Sequence, residues 1–306
     1  MNENILSYKS CTLCARNCRV DRDRGKTGFC HSTSKLKLSR AALHFWEEPC
    51  ISGSRGSGTI FFSGCSLGCI YCQNKEISRG NCGIEADTKR LSEIMLELEQ
   101  NGAHNVNLVT PTHFVPHIID AVKLAKSAGL SVPVIYNTGS YENEETISAL
   151  NCTVDVFLPD LKYYRGETAK KLSAAEDLPV VSRRAIGKMV EIAGDCRFDE
   201  DGMITGGVIV RILLLPGHLA EAKLNLKYLY ETYGDRIYVS LMSQYTPSAD
   251  MPAPLNRRVT QAEYRELVNY AITLGVKNAY TQEFGCAEES FIPPFDNTGV
   301  LKNTGI

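Results

Sequence analysis

The chain has 306 residues, enough for one large domain or one domain with a small appendage. Hydrophobic residues make up 43% and charged residues 22%, the formal net charge is −2 and no basic run stands out, so nothing favours a nucleic-acid partner. No stretch approaches the ~20 apolar residues a membrane span needs, and the opening Met-Asn-Glu-Asn-Ile-Leu lacks signal-peptide character, so a cytoplasmic, membrane-free protein is expected.

Twelve cysteines are many for this length, and seven of them fall into two tight groups. In a reducing cytoplasm that grouping points to metal ligation rather than disulfides. Cys152 and Cys196 read as ordinary core residues.

In chain order, residues 9–31 hold the first group, Cys11, Cys14, Cys18 and Cys30, spaced C-x2-C-x3-C-x11-C around a polar, glycine-punctuated loop. This is a knuckle too small for a core of its own. Four thiolates suit tetrahedral zinc or an iron–sulfur cluster, and the spacing does not choose. Residues 32–58 bridge the knuckle to the first barrel strand and contain the only tryptophan, Trp46. Gly58–Phe62 is a short buried strand entering the second group, Cys65, Cys69 and Cys72, spaced C-x3-C-x2-C. Thiolates this close on one loop converge on one soft metal centre. Three of them leave one iron of a four-iron cluster without a protein ligand, and an open position marks a reactive site. A structural zinc would want a fourth ligand, for which Cys82 is the nearest candidate.

A helix is expected from Asp87 to Asn101, then a strand at Asn105–Val109, a helix opened by Pro116 and a strand at Val132–Asn137. There follow a short helix at Glu144–Leu150, a strand at Val154–Leu158, and helices at Glu167–Glu176 and Pro179–Ala193. Residues 194–206 read as a small insertion with a hairpin turn at Asp201–Gly202. Val208–Leu215 is the fifth strand, Leu219–Tyr233 a helix and Ile237–Met242 the sixth strand. Thr260-x-x-Glu263 is a capping box, and Val276–Gln282 suits a seventh strand. The segment after Gly285 is expected on the surface. Six strand–helix units imply an α/β fold, an open partial (β/α)6 TIM-type barrel, over residues 59–285. The knuckle and bridge occupy 1–58 and the tail 286–306.

Polar residues gather at the strand ends, where such folds bind ligands. They are Thr110, Thr112 and His113 after the second strand, Asn137 after the third, Asp160 and Lys162 after the fourth, and Gln244 after the sixth. Arg211, inside an aliphatic strand, needs an anionic partner. Asp160 and Lys162 alternate along an extended segment and so point the same way.

The Cys65–Cys72 loop, with Tyr71 before its last cysteine, resembles the C-x3-C-x-aromatic-C signature of the radical-AdoMet superfamily. Other motifs resemble its pyruvate formate-lyase activating enzyme-like branch: the Cys11–Cys30 knuckle, His44-x-Trp46-Glu-Glu-Pro-Cys-Ile-Ser-Gly53, Gln73-Asn74, Val109-Thr-Pro-Thr-His113, Tyr136-Asn-Thr138, Leu158-Pro-Asp-Leu-Lys-Tyr163 and Met242-Ser-Gln-Tyr245. The resemblance implies a [4Fe–4S] cluster on Cys65, Cys69 and Cys72 whose open iron chelates S-adenosylmethionine. One electron then releases a 5′-deoxyadenosyl radical that takes a hydrogen atom from substrate. It also implies cofactor contacts from Tyr71, Thr110, Thr112, His113, Asn137 and Gln244, and a cavity lined by Asp160, Lys162 and Arg211. The family commonly carries Gly-Gly-Glu where this chain has Thr110-Pro-Thr-His113. An activase-like role implies a protein or peptide substrate and a reductant such as flavodoxin or ferredoxin. A small-metabolite substrate and a non-enzymatic zinc or electron-transfer protein are the alternatives.

Overall fold

Among the described residues, seven strands form the parallel part of the sheet that the alternation of apolar runs and helices calls for. The computed structural model describes residues 6–80, 82–248, 250–283 and 292–302. In chain order the strands are β1 (Lys37–His44), β2 (Ser57–Phe62), β3 (Ile84–Glu85), β4 (Val106–Val109), β5 (Val134–Thr138), β6 (Val156–Pro159), β7 (Arg197–Phe198), β8 (Ile204–Leu213), β9 (Tyr238–Met242) and β10 (Ala279–Thr281). The sheet runs β10-β9-β8-β6-β5-β4-β2-β1-β3, and β7 forms a small hairpin with β8 through the turn at Gly202. The strands from β2 to β10 along that path are parallel neighbours. The path ends at β3 and β10 without closing, so the sheet is an open partial barrel.

The helices follow from their caps and apolar stripes. Thr88–Gln100 starts where the Asp87 side chain accepts from the Arg90 amide, and it buries Leu91, Ile94, Met95 and Leu98. Val115–Ser127 buries Ile118, Ala121, Val122 and Ala125. Gln261–Leu274 begins at the reciprocal Thr260–Glu263 capping box and stops at Gly275 in the left-handed region. These faces join one continuous core with Val106, Leu108, Val134, Tyr136 and Val208 of the sheet.

One segment departs from the sequence reading. The bridging stretch contains β1, which pairs antiparallel with β2 from Leu38↔Phe62 to His44↔Ser57 with a bulge between Leu38 and Arg40. Its sequence, Lys-Leu-Ser-Arg-Ala-Ala-Leu-His, has no clean period of two, so pairing rather than propensity makes it a strand. The described part of the tail lies mostly at the surface and is tied down there. Asn297 N donates to Ser39 O at 3.0 Å, and Ala41 N donates to Thr298 O at 2.8 Å. Val300 is buried, and Phe295 meets Phe61 edge-on at 5.3 Å. Residues 284–291, where the tail was expected to begin, lie outside the described residues.

Candidate active site

The cysteine loop leaves the C-terminal end of β2 through Gly64, at φ +91°, where any Cβ would collide with Ser32 Oγ and the Cys30 carbonyl. Helix Gly166–Ser173 holds the loop from the other side. Gly68 N donates to Ser173 O at 3.1 Å and Ile70 N to Leu172 O at 2.9 Å. Arg16 of the knuckle bridges Ser66 O at 2.9 Å and Ala174 O at 2.8 Å, with its guanidinium 3.7 Å from the Phe29 ring centre. Cys65, Cys69 and Cys72 all line one cavity at the mouth of the barrel. Burial, then the neighbouring Cys69 and Cys72, pushes the Cys65 thiol well above its usual range. Burial and Cys69 push Cys72 to about 11. Three crowded soft donors with no carboxylate among them fit an iron–sulfur cluster, which supplies the positive charge their thiolates require. Cys82 is not in the cavity lining; its sulfur faces Glu76 Oε1 at 3.7 Å.

The wall opposite the loop is a buried ionic network. Arg211 lies in β8 and faces Asp160 across a parallel bridge. Its Nε donates to Asp160 Oδ1 at 2.8 Å, Nη2 to Asn137 Oδ1 at 2.5 Å and Nη1 to Glu47 Oε2 at 3.4 Å. Lys162 Nζ donates to Asp160 Oδ2 at 2.7 Å. Burial would raise the Asp160 carboxyl, but Arg211 and Lys162 outweigh it and hold the group below its usual range. Burial opposes charge on Lys162 as well, and Asp160 more than offsets it. Glu47, which accepts from Asn107 Nδ2 at 3.1 Å, and Glu48 are both raised, chiefly by burial, with Arg211 pulling the other way. Sequence reasoning finds Asp160, Lys162 and Arg211 but misses this acidic pair. The signal is the Trp46-Glu-Glu-Pro49 segment, which the sequence reading places in the bridge and among the resemblance motifs without giving its glutamates a site role.

Tyr71, Thr110, Asn137 and Gln244 also line the cavity, with Trp46, Phe61 and, from the tail, Ile292 and Pro293. Gln244 is fixed by two amides: Gln73 Nε2 donates to its carbonyl at 3.0 Å and Gln282 Nε2 to its Oε1 at 2.7 Å. Thr110 sits at φ +59°, a backbone conformation that a β-branched residue rarely adopts. The structure turns Thr112 and His113 away from the cavity. Thr112 Oγ1 donates to the buried Glu142 Oε1 at 2.6 Å. His113 Nε2 donates to Ser63 O at 2.7 Å, so the ring braces the strand end behind the loop.

The knuckle packs beside these elements. Cys11, Cys14 and Cys30 are buried and Cys18 partly so. Gly28 leaves room for the Cys18 sulfur, which would lie 2.6 Å from any Cβ there. Asn143 Nδ2 ties the knuckle to the barrel by donating to Thr12 O at 2.6 Å and Cys14 O at 3.1 Å. Among the described residues, no group of three or more His, Cys, Asp or Glu gathers tightly enough to hold a single metal ion.

An open parallel half-barrel thus carries a three-cysteine loop at the C-terminal end of its first parallel strand. The family model for the 4Fe-4S single cluster domain matches residues 52–174. An uncharacterized protein of Methanocaldococcus jannaschii is 28% identical over 276 residues, covering 86% of this chain and 75% of that one. Among solved structures, the FeFe-hydrogenase maturase HydG from Carboxydothermus hydrogenoformans aligns with TM-score 0.51 at 11% identity, over 76% of this chain and 56% of that chain. Another structure of HydG, a maturase of the [FeFe]-hydrogenase, aligns with TM-score 0.50 at 16% identity, over 71% and 48%. This chain thus spans about half the length of those two, and the likeness is one of fold. No helix among the described residues is long and apolar enough to cross a membrane.

Proposed function

We propose that this protein is a radical-AdoMet enzyme that removes a hydrogen atom from a protein or peptide substrate, in the manner of an activating enzyme. The observation that supports it most is the convergence of Cys65, Cys69 and Cys72 on the same cavity as Asp160, Lys162 and Arg211. When bound there, a [4Fe–4S] cluster and S-adenosylmethionine supply the one-electron cleavage and the hydrogen-abstracting radical. The chain's own residues bind and orient. Thr110, Asn137, Tyr71 and Gln244 offer polar atoms to the nucleoside and its amino-acid arm, while Lys162 and Arg211 offer positive charge balanced by Asp160. Phe61, Leu67 and Leu213 give the cavity apolar wall that limits water. A cytoplasmic flavodoxin or ferredoxin is the reductant this reading calls for. Anaerobically reconstituted protein with dithionite is expected to form 5′-deoxyadenosine, and Cys69→Ala to form none. A Cys69→Ala protein with undiminished yield would refute the reading.

A small-metabolite substrate is favoured by one feature, the covering of the cavity by Trp46, Ile292 and Pro293. Deuterium passing from a labelled peptide, rather than from labelled metabolites, into 5′-deoxyadenosine decides between the two.

The knuckle is proposed to hold a second iron–sulfur cluster, which spans a wider set of thiolates than the single ion its cysteines are not gathered tightly enough to hold; zinc is the other outcome of the test. Arg22 is wholly buried, donates to Ser32 O at 3.0 Å, Thr33 O at 2.7 Å and His113 O at 2.6 Å, and lies 3.6 Å from Cys11 Sγ. No carboxylate is among these partners, so metal-bound thiolates are the anions that would balance it. Iron and zinc counts on wild type and a Cys11→Ala/Cys14→Ala protein test this. Equal metal content in both would overturn it.

A further inference from the structure

We propose that Ser173 is a positioning residue for the cluster. It ends a one-way chain of hydroxyls, begun at Tyr71, that sets how readily the cluster takes an electron. Ser173 Oγ lies 2.9 Å from Cys69 Sγ. Tyr163 Oη lies 2.7 Å from Ser173 Oγ, and Tyr71 Oη lies 2.7 Å from Tyr163 Oη. All three hydroxyl residues are buried, at 0%, 2% and 8% exposure for Ser173, Tyr163 and Tyr71, so bulk water does not compete for these bonds.

The direction of the chain follows from proton counting. A thiolate bound to iron carries no proton and only accepts, so Ser173 donates to it. The serine oxygen then accepts from Tyr163, whose oxygen accepts from Tyr71; phenols keep their protons near neutral pH. Each hydroxyl uses its single proton on the next, and bonds aligned this way polarise one another.

The backbone holds the serine on target. Ser173 closes its helix, where a serine commonly bonds back to the carbonyl four residues earlier. Here its hydroxyl meets the sulfur instead, while the amides on either side of Cys69, from Gly68 and Ile70, donate to the carbonyls of Ser173 and Leu172. The oxygen–sulfur approach is therefore fixed by main-chain bonds flanking both partners.

Hydrogen bonds to a cluster's sulfurs favour the more negative, reduced form and are one of the protein's levers on potential. Ser173 thus raises the potential of a cluster that must be reduced before S-adenosylmethionine is split. This rests on the reading of Cys69 as a cluster ligand.

Wild type, Ser173→Ala and Tyr163→Phe are reconstituted anaerobically and titrated against potential without S-adenosylmethionine, the reduced cluster being counted by electron paramagnetic resonance. At the wild-type midpoint, Ser173→Ala is expected to hold a reduced-to-oxidised ratio about tenfold lower, equivalent to about 59 mV for one electron. Tyr163→Phe should shift the same way by less, with iron content unchanged. Wild-type midpoints in both variants at full iron loading would overturn the proposal. Should Ser173→Ala lose its iron, Tyr163→Phe decides alone: a downward shift supports the chain and no shift overturns it. A wild-type protein that assembles no cluster overturns both this inference and the proposed function. A normal cluster with wild-type midpoints in the variants overturns this inference only.

Discussion

Arg211 and Asp160 meet at 2.8 Å across the seam between β8 and β6, and the same guanidinium reaches Asn137 and Glu47 with its other nitrogens. One cation thus organises side chains from β5, from the end of β6 and from the segment that precedes β2. Arg211→Met leaves Asp160 and Glu47 buried with less compensation, so a loss of about 3–5 kcal/mol in unfolding free energy is expected by urea denaturation. Arg211→Lys keeps the charge but loses the planar fork, and should be destabilised less while still forming less 5′-deoxyadenosine. An Arg211→Met protein within about 1 kcal/mol of wild type would mean that water reaches and screens the network.

Thr110 carries backbone strain at the cavity. A β-branched residue at φ +59° costs on the order of 1–3 kcal/mol, and glycine carries no such cost. Thr110→Gly gives back part of the gain through the greater freedom of the unfolded chain. A net stabilisation of about 1 kcal/mol is expected from denaturation curves, together with weaker S-adenosylmethionine binding because the hydroxyl is gone. Lower stability in the glycine variant would show that contacts of the threonine side chain outweigh the strain.

Gly64 is the reverse case. Its left-handed backbone and the absent Cβ let β2 turn directly into the cysteine loop beneath Cys30 and Ser32. Gly64→Ala is expected to displace the loop from the knuckle and lower iron incorporation several-fold under equal reconstitution. Full iron loading would show that the knuckle yields instead of the loop.

Much of this was legible because periodicity and chemistry agreed. Leu91, Ile94, Met95 and Leu98 define a helix face by spacing alone, and that face is buried. Asp160, Lys162 and Arg211 stand out because charge at the end of a buried apolar strand requires a partner, and they partner one another. β1 was hidden because its pattern is weak and its pairing comes from β2. Glu47 was hidden because nothing local predicts that a residue ahead of β2 reaches Arg211, 164 positions later. Thr112 and His113 sit beside Thr110 in sequence, yet the 3-10 turn Thr112–Phe114 carries them behind the loop. Ser173 lies 104 residues from Cys69, a separation no local motif spans.

His113 makes the fold sensitive to acid. Its ring is buried at 1% exposure, and burial followed by the Arg22 charge lowers its pKa from 6.5 to about 3. Nε2 already donates to Ser63 O, and Nδ1 has no hydrogen-bond partner among the described residues, so a second proton would place an unpaired charge beside Arg22 and against the Phe114 ring. The unfolded chain binds that proton more readily than the folded one. The stability held by neutral His113 is therefore fully present above pH 6.5 and is lost as pH falls toward 3. At pH 5 the gap is 1.5 pH units below the unfolded value, or about 2 kcal/mol at 1.36 kcal/mol per unit. His113→Gln keeps a donor to Ser63 O and never takes up a proton. In urea denaturation at pH 8 and pH 5, the advantage of wild type over His113→Gln should shrink, or reverse, by about 2 kcal/mol on acidification. The same difference at both pH values would mean that the ring finds an acceptor for its second proton when it charges.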